Sequence, residues 1–337
     1  MRRILILQEP GSDSVAALSD TLQTALREAG GHVTALDWRH SSWPGLIQAA
    51  KQHDVLLATH HFGPTACAAL IKALTGKPVV SWVHGPLPEE LKTKRASVLS
   101  RLGWRLVYAQ VDHFVSVSRT TENALLGFVN PRSRQQHSHV IPNALPPLPE
   151  GQPMHVHAGH GGESGIPPLL VGHVGRLSEE KRPRLALETL RFLPEEAQLA
   201  IVGDGPLHRP LAHEGMDLLM QGRLHFLGAH PRGASLYTPW EITLLTSRYE
   251  GCAMTALESL ACGVPCVSLP ISAMRELYDL DAPYLLARGD APVALAEAVM
   301  TVLSLPPDQV QSDMARIVAR HQVPAFAQAW QEVLSAC

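Results

Sequence analysis

Two acids separated by seven residues mark the most informative stretch of the chain, Ser247-Arg248-Tyr249-Glu250-Gly251-Cys252-Ala253-Met254-Thr255-Ala256-Leu257-Glu258. A strand ends here and a helix is predicted to start near Ala253. The helix-start N–H groups around Cys252, Ala253, Met254 and Thr255 would then form an anion site suited to a diphosphate, with Gly251 permitting close backbone approach. Glu258 lies about one and a half turns into that helix, at about 1.5 Å rise per residue, where it could accept hydrogen bonds from ribose hydroxyls. Glu250, just before the helix, would meet the opposite end of the same ligand. Alone, two acids at a helix start are also what the macrodipole favours on any solvated helix.

A second stretch, Val174-Gly175-Arg176-Leu177-Ser178-Glu179-Glu180-Lys181, again runs from a strand through a glycine turn towards a helix. Arg176 and Lys181 can bracket one diphosphate, and two cations matched to a departing diphosphate stabilise charge that develops in the transition state. On that reading no metal is required. Ile201-Val202-Gly203-Asp204-Gly205-Pro206 adds a glycine turn at the end of another strand, and Trp82-Val83-His84-Gly85 places a histidine at a strand end in the first half. By itself His84 is equally well read as a histidine satisfied by neighbouring backbone.

The elements that would position these residues follow from the pattern of apolar runs. Ile4 to Leu7, Val33 to Leu36, Val55 to Ala58, Val79 to Val83 and Phe114 to Val117 alternate with amphipathic helical stretches, the rhythm of βαβ units. Runs apolar on both faces belong to parallel strands covered on both sides, so the first half is expected to be a doubly wound sheet. The rhythm restarts with Leu169 to Val174, Leu199 to Val202, Leu224 to Leu227, Ile242 to Leu245 and Cys266 to Leu269. The expected organisation is an N-terminal Rossmann-like domain over 1–148, a Pro/Gly-rich linker over 149–168 and a C-terminal Rossmann-like domain over 169–321. Pro324 is expected to open a last helix, about 322–337, that returns to the first domain through Phe326, Ala329, Trp330 and Val333. Ligands collect at the carboxyl ends of such strands, and the expected active site is a cleft between the two sheets.

Composition narrows the function classes. Hydrophobic residues make up 45% and charged residues 18% of 337, which is ordinary globular usage. With 28 basic and 31 acidic residues the net charge is −3, so no global field exists to hold a nucleic-acid backbone. The five cysteines, Cys67, Cys252, Cys262, Cys266 and Cys337, lack disulfide or zinc spacing and fit a reducing cytoplasm. The N-terminal apolar run is too short for a signal peptide, and no run of about eighteen apolar residues occurs to span a bilayer.

Together the motifs resemble the retaining glycosyltransferases of the GT-B fold, specifically family 4. The family's Glu-x7-Glu pattern is met by Glu250 and Glu258, its Gly-Arg-Leu-x-x-x-Lys pattern by Gly175 to Lys181, and its Gly-x-Gly-Pro turn by Gly203 to Pro206. Val115-Ser116-Val117-Ser118 and Ile141-Pro142-Asn143 continue the resemblance in order, so it covers nearly the whole chain. It implies transfer of a hexose or N-acetylhexosamine from a UDP- or GDP-sugar to a glycan or lipid-linked acceptor, with retention and without a cofactor. Surface polysaccharide or lipopolysaccharide synthesis is the setting it implies. His84, Arg176, Lys181 and Glu250 would be catalytic; Gly175, Gly203, Gly205, Gly251 and Glu258, with the helix-start residues, would bind the donor. In place of the family's Gly-Gly pair after the first strand stands Pro10-Gly11-Ser12, so Gly11 alone represents it among the donor-binding positions. Asn143 is followed by Ala144 instead of the usual Gly, which leaves the acceptor loop open.

Two alternatives stand beside this reading. A dinucleotide oxidoreductase also has two α/β halves, but Gly203-x-Gly205 lacks a third glycine and does not follow the domain's first strand. A catalytically silent relative could bind nucleotide or scaffold an assembly. His60 and His61 follow Leu56-Leu57-Ala58, but with 18 histidines in the chain they are read as structural. His155, His157 and His160 in the Gly-rich linker lack metal-ligand spacing. Between Glu89 and Gln110, Lys94, Arg101 and Arg105 flank Leu91, Val98, Leu102 and Leu106 on one helical pattern. A core-facing stripe beside a solvated face is the ordinary reading, and a cationic flank docking on anionic lipid is the other.

Overall fold

The computed structural model describes residues 2–9, 14–129, 136–150 and 169–337. Gly11, the linker histidines and nearly all of the expected linker lie outside the described residues. Contacts divide the chain into two units, Met1–Pro146 with His321–Cys337, and Pro147–Arg320.

The first unit runs β1 Arg3–Gln8, α1 Ser14–Glu28, β2 His32–Asp37, α2 Trp43–Gln52, β3 Val55–Ala58, α3 Gly63–Thr75, β4 Val79–Val83, α4 Leu87–Thr93, α5 Val98–Tyr108, β5 His113–Ser116, α6 Arg119–Val129 and β6 His137–Val140. Its sheet has the order β2-β1-β3-β4-β5-β6, with every pairing parallel. Strands β3, β4 and β5 are buried along their whole length, whereas the edge strands β2 and β6 are partly exposed. Uninterrupted apolar sequence and helices on both faces are two views of one requirement, because a central parallel strand has no wet side. Strand β6, with the sequence His-Ser-His-Val, escapes a hydrophobic-run criterion because it is an edge.

The second unit runs β7 Leu170–Val174, α7 Pro183–Leu190, β8 Gln198–Val202, α8 His208–Glu214, α9 Met216–Met220, β9 Leu224–Gly228, β10 Ile242–Leu245, α10 Met254–Ala261, β11 Cys266–Ser268, α11 Ser272–Tyr278, α12 Pro292–Ser304 and α13 Pro307–Ala319. Its five strands are ordered β11-β10-β7-β8-β9, again all parallel. Glycine 172 of β7 is required by packing, since a Cβ there would stand 2.0 Å from the Trp240 ring.

The last helix, α14 Val323–Ala336, belongs to the first unit and packs on α1. Trp330 is fully buried, and its ring lies 4.9 Å from that of Trp82 on β4. Burying two indoles in contact contributes several kcal/mol, at roughly 25 cal/mol per Å2 of apolar area. The C-terminal helix thus braces the strand that carries His84.

Candidate active site

In the second sheet the chain runs outward from β7 to β8 and β9 on one side, then crosses back to β10 and β11 on the other, so the strand order reverses between β7 and β10. Such a switch point opens a crevice at the strands' carboxyl ends. The loops that leave β7 and β10 meet there. The Thr246 hydroxyl donates to the carbonyls of Lys181 (2.8 Å) and Arg182 (3.0 Å), and the Arg248 N–H donates to Glu180 O at 2.8 Å. Residues nearly seventy positions apart in sequence are thereby held as one surface.

On that surface the Lys181 ammonium donates to Glu250 Oε1 at 2.6 Å, with Glu180 at 3.9 Å. Burial works against the lysine's charge, but the Glu250 carboxylate and its hydrogen bond outweigh burial and raise the pKa above the ordinary lysine value. Lys181 is therefore a cation throughout the neutral range. Arg176 is exposed on the same loop. Beneath them His173 of β7 is buried, and its pKa is lowered to about 4, chiefly by burial, with the Lys181 charge adding to the shift.

Helix α10 begins at Met254 after Ala253, so its first amides face the same end of the sheet. Glu258 is only 3% exposed. Its Oε1 accepts from Arg232 Nε at 2.6 Å and its Oε2 from the Tyr237 hydroxyl at 2.9 Å. Burial and the adjacent carboxylate push the Tyr237 pKa well above its usual value, so the phenol stays a donor. Arg232 and Tyr237 had no place in the sequence reading. A cation four residues after the end of β9 was a signal available to find the first; the second had none. A carboxylate accepts about four hydrogen bonds, so these two contacts orient Glu258 without exhausting it.

The glycine turn after β8 packs closely on the loop that carries Arg176. A Cβ on Gly203, whose φ is 135°, would fall 1.9 Å from Gly175 O, and one on Gly205 would fall 2.5 Å from Leu177 O. Backbone bonds Gly175 N to Val202 O (3.0 Å) and Leu177 N to Asp204 O (3.0 Å) seal the contact. The two glycines let this turn press against the Arg176 loop and hold it in place.

In the first unit, His84 lies at the end of β4. Its Nε2 is 2.9 Å from Thr59 O, a partner that can only accept, so Nε2 carries the proton and Nδ1 keeps its lone pair. Burial, with His60 and His61 adding to it, drives the His84 pKa well below the ordinary histidine value. The ring is a neutral acceptor. The His84 N–H donates to His61 Nδ1 at 3.4 Å, and the other nitrogen of His61 faces Glu90 Oε2 at 3.2 Å. His60 stacks on His61 at 4.5 Å and is lowered to about 3, mainly by burial. The pair read as structural from sequence is thus the wall of the His84 pocket, which a count of histidines could not reveal.

Two family models match in tandem, "Glycosyltransferase Family 4" over residues 12–147 and "Glycosyl transferases group 1" over residues 168–305. The chain belongs to the family 4 (group 1) glycosyltransferases of the GT-B fold. A GDP-mannose-dependent alpha-(1-6)-phosphatidylinositol dimannoside mannosyltransferase of Mycobacterium tuberculosis is 33% identical over 143 residues, 41% of this chain and 36% of that one. A UDP-Gal:alpha-D-GlcNAc-diphosphoundecaprenol alpha-1,3-galactosyltransferase of Escherichia coli is 26% identical over 239 residues, 66% of this chain and 59% of that one. In each case the match spans less than two thirds of the relative. Among solved structures, Anabaena HepE in complex with UDP-glucose superposes with a TM-score of 0.76 at 18% identity over 100% of both chains, a likeness of fold.

Within this family 4 chain, the described site residues fall into two groups. Gly175, Arg176, Lys181, Gly203, Gly205, Glu250, Gly251, Cys252, Ala253, Met254, Thr255 and Glu258 gather at the carboxyl end of the second sheet, and His84 stands at the carboxyl end of the first.

Proposed function

We propose that the protein is a retaining glycosyltransferase that moves a hexose or N-acetylhexosamine from a UDP- or GDP-sugar to a glycan or lipid-linked acceptor. In this reading the domain over 169–321 holds the donor and the domain over 1–148, with its returning helix, holds the acceptor. The observation that carries it is the Lys181–Glu250 pair, 2.6 Å apart at the switch point of the second sheet beside the start of α10. Lys181 and Arg176 meet the diphosphate from one side and the α10 amides from the other. Glu250 lies beside the sugar, where a carboxylate accepts its hydroxyls, and Glu258, fixed by Arg232 and Tyr237, lies on the nucleoside side.

Chemically, the bond from the anomeric carbon to the donor phosphate oxygen breaks as a bond to the acceptor oxygen forms on the same face. The acceptor's proton passes to the departing phosphate, and the negative charge gathering there is met by Lys181 and Arg176. Neutral His84, with Nδ1 as acceptor, orients a hydroxyl near the reacting carbon and neither gives up nor takes a proton. The likeness to a GDP-mannose-dependent enzyme and to UDP-sugar enzymes supports a nucleoside diphosphate donor. Lipopolysaccharide or capsule assembly, on the cytoplasmic side of a membrane and in peripheral contact with it, is the setting we infer.

The test is a thermal-shift screen of nucleotide sugars followed by measurement of nucleoside diphosphate release. A donor at a hundred times its dissociation constant adds about 2.7 kcal/mol of stability. Slow release by the purified protein, lost in Lys181→Ala and Glu250→Ala, is the expected result. Release that persists unchanged in both variants sinks the assignment.

A further inference from the structure

Helix α4 turns one of two adjacent acids outward and the other inward. Glu89 is exposed and pairs with Lys92 at 2.7 Å. Glu90 stands between buried Leu87 and buried Leu91, and its side chain reaches back over the turn that leaves β4. There Oε2 lies 3.2 Å from Nε2 of His61, a ring with no exposed surface. The other oxygen lies over Gly85, where an added Cβ would fall 2.1 Å from Glu90 Oε1. Gly85 is outside the left-handed region, so what its missing side chain provides is room for the carboxylate. The positions of the protons follow from these partners. A backbone N–H can only donate, so the His84 N–H fixes His61 Nδ1 as an acceptor, and the neutral ring carries its proton on Nε2, towards Glu90. That nitrogen is buried, with no second polar partner among the described residues. Burial works against the Glu90 charge, but the His61 ring beside it outweighs burial and holds the carboxyl below its ordinary range. The Tyr108 hydroxyl donates to the His61 carbonyl, so ring and main chain of His61 are both tied.

We propose that Glu90 is a positioning residue for the acceptor hydroxyl. Its carboxylate holds His61 in the Nε2–H tautomer, His61 Nδ1 in turn holds the His84 main chain, and the His84 ring keeps the direction in which its free Nδ1 meets the hydroxyl. Glu90 acts through His61 and touches neither substrate nor donor. Gly85 serves the same end by leaving the carboxylate its seat. The inference rests on the transfer reading for what His84 does to the hydroxyl; the chain from Glu90 through His61 to His84 requires no transfer.

The experiment joins two readouts on the full chain at neutral pH. Nitrogen NMR of protein labelled in its histidine rings gives the tautomers, with the His61 signals assigned by their absence from His61→Asn. Slow nucleoside diphosphate release from UDP-glucose and from GDP-mannose, with water as the acceptor, gives kcat and donor KM. The parent is expected to show His61 as the Nε2–H tautomer. Glu90→Ala replaces it by a mixture of tautomers and lowers kcat about tenfold, as a misplaced orienting group does, while donor KM stays within about twofold because the donor is held by the other domain. Glu90→Gln, whose amide oxygen accepts the same proton, restores the tautomer and most of kcat. Gly85→Ala, whose methyl displaces the carboxylate, lowers kcat as Glu90→Ala does and adds nothing to it in the double variant. An unchanged His61 tautomer in Glu90→Ala, a Glu90→Gln variant no better than Glu90→Ala, a donor KM that rises as far as kcat falls, or additive effects of Gly85→Ala and Glu90→Ala each overturns the proposal. If Glu90→Ala does not fold, the Gln variant and Gly85→Ala carry the same comparison. Absence of release by the parent chain overturns the transfer reading alone, and the tautomers then decide the role of Glu90 by themselves.

Discussion

The two sheets share an architecture but arm their strand ends differently. At the carboxyl end of the second sheet, charges are paired: Lys181 with Glu250 and Arg232 with Glu258. At the corresponding end of the first, His60, His61 and His84 crowd together, and burial keeps His60 and His84 far below their usual pKa values. A buried lysine keeps its charge only beside an opposite charge, and the Glu250 carboxylate supplies that. A buried imidazole bonded to a carbonyl instead stays neutral and keeps one tautomer, as His84 does against Thr59 O. The same scaffold thus carries opposite electrostatics through side chains at its loop ends.

Removing Lys181 tests the charged half most severely. Lys181→Ala is expected to lower kcat by about a thousandfold, near 4 kcal/mol of transition-state stabilisation. If its effect and that of Glu250→Ala multiply independently in a double-mutant cycle, the pair does not act as a unit.

Next in size is Arg232→Ala. It leaves the buried Glu258 carboxylate with Tyr237 as its one remaining partner of the two and is expected to cost about 3 kcal/mol of stability, read from denaturant midpoints. Recovery of most of that loss on adding Glu258→Gln would identify an unpaired charge, and not lost packing, as the cause. Gly203→Ala follows at about 2 kcal/mol or more, because the new methyl collides with the Gly175 carbonyl, a backbone atom that cannot swing away.

Acid probes the neutral half. The folded chain holds His60 at about 3 and His173 at about 4, against about 6.5 when unfolded, so below pH 6.5 the unfolded chain binds more protons. Stability from each is complete above about pH 6.5 and is lost as the pH falls towards 4 and then 3, with roughly 2 kcal/mol gone per histidine at pH 5. Because His60 and His84 both lie in the first unit, its amides should lose hydrogen-exchange protection before those of the second on acidification. Loss in the reverse order would mean the histidine pocket is not the acid-sensitive element. The smallest effect is expected for Arg184→Ala: its pair with Glu214 is solvent-exposed, and its loss should shift stability by less than about 1 kcal/mol.

Much of this was legible in the residues, and the misses have a common cause. The strand runs and the start of α10 could be read because they depend on neighbours within one or two turns. Glu250 and Lys181 were each visible as chemistry. The partners of Glu258 were not, because Arg232 and Tyr237 lie 26 and 21 residues away and reach it only once β9, β10 and α10 are stacked. Periodicity found the apolar face of α5 correctly but assigned it inward, whereas Val98, Leu102 and Leu106 are exposed; a pattern records which residues share a face and not where the face points.

Sequence alone determined the two parallel sheets and the residues at their carboxyl ends, because apolar runs, glycine turns and helix starts are local properties of the chain. Tertiary structure decided the rest: that Lys181 meets Glu250, that Gly203 makes room for a neighbouring loop, that three histidines share one pocket and that the leucines of α5 face outward. Burial and pairing are relations between distant segments, and a linear pattern carries no distance between them.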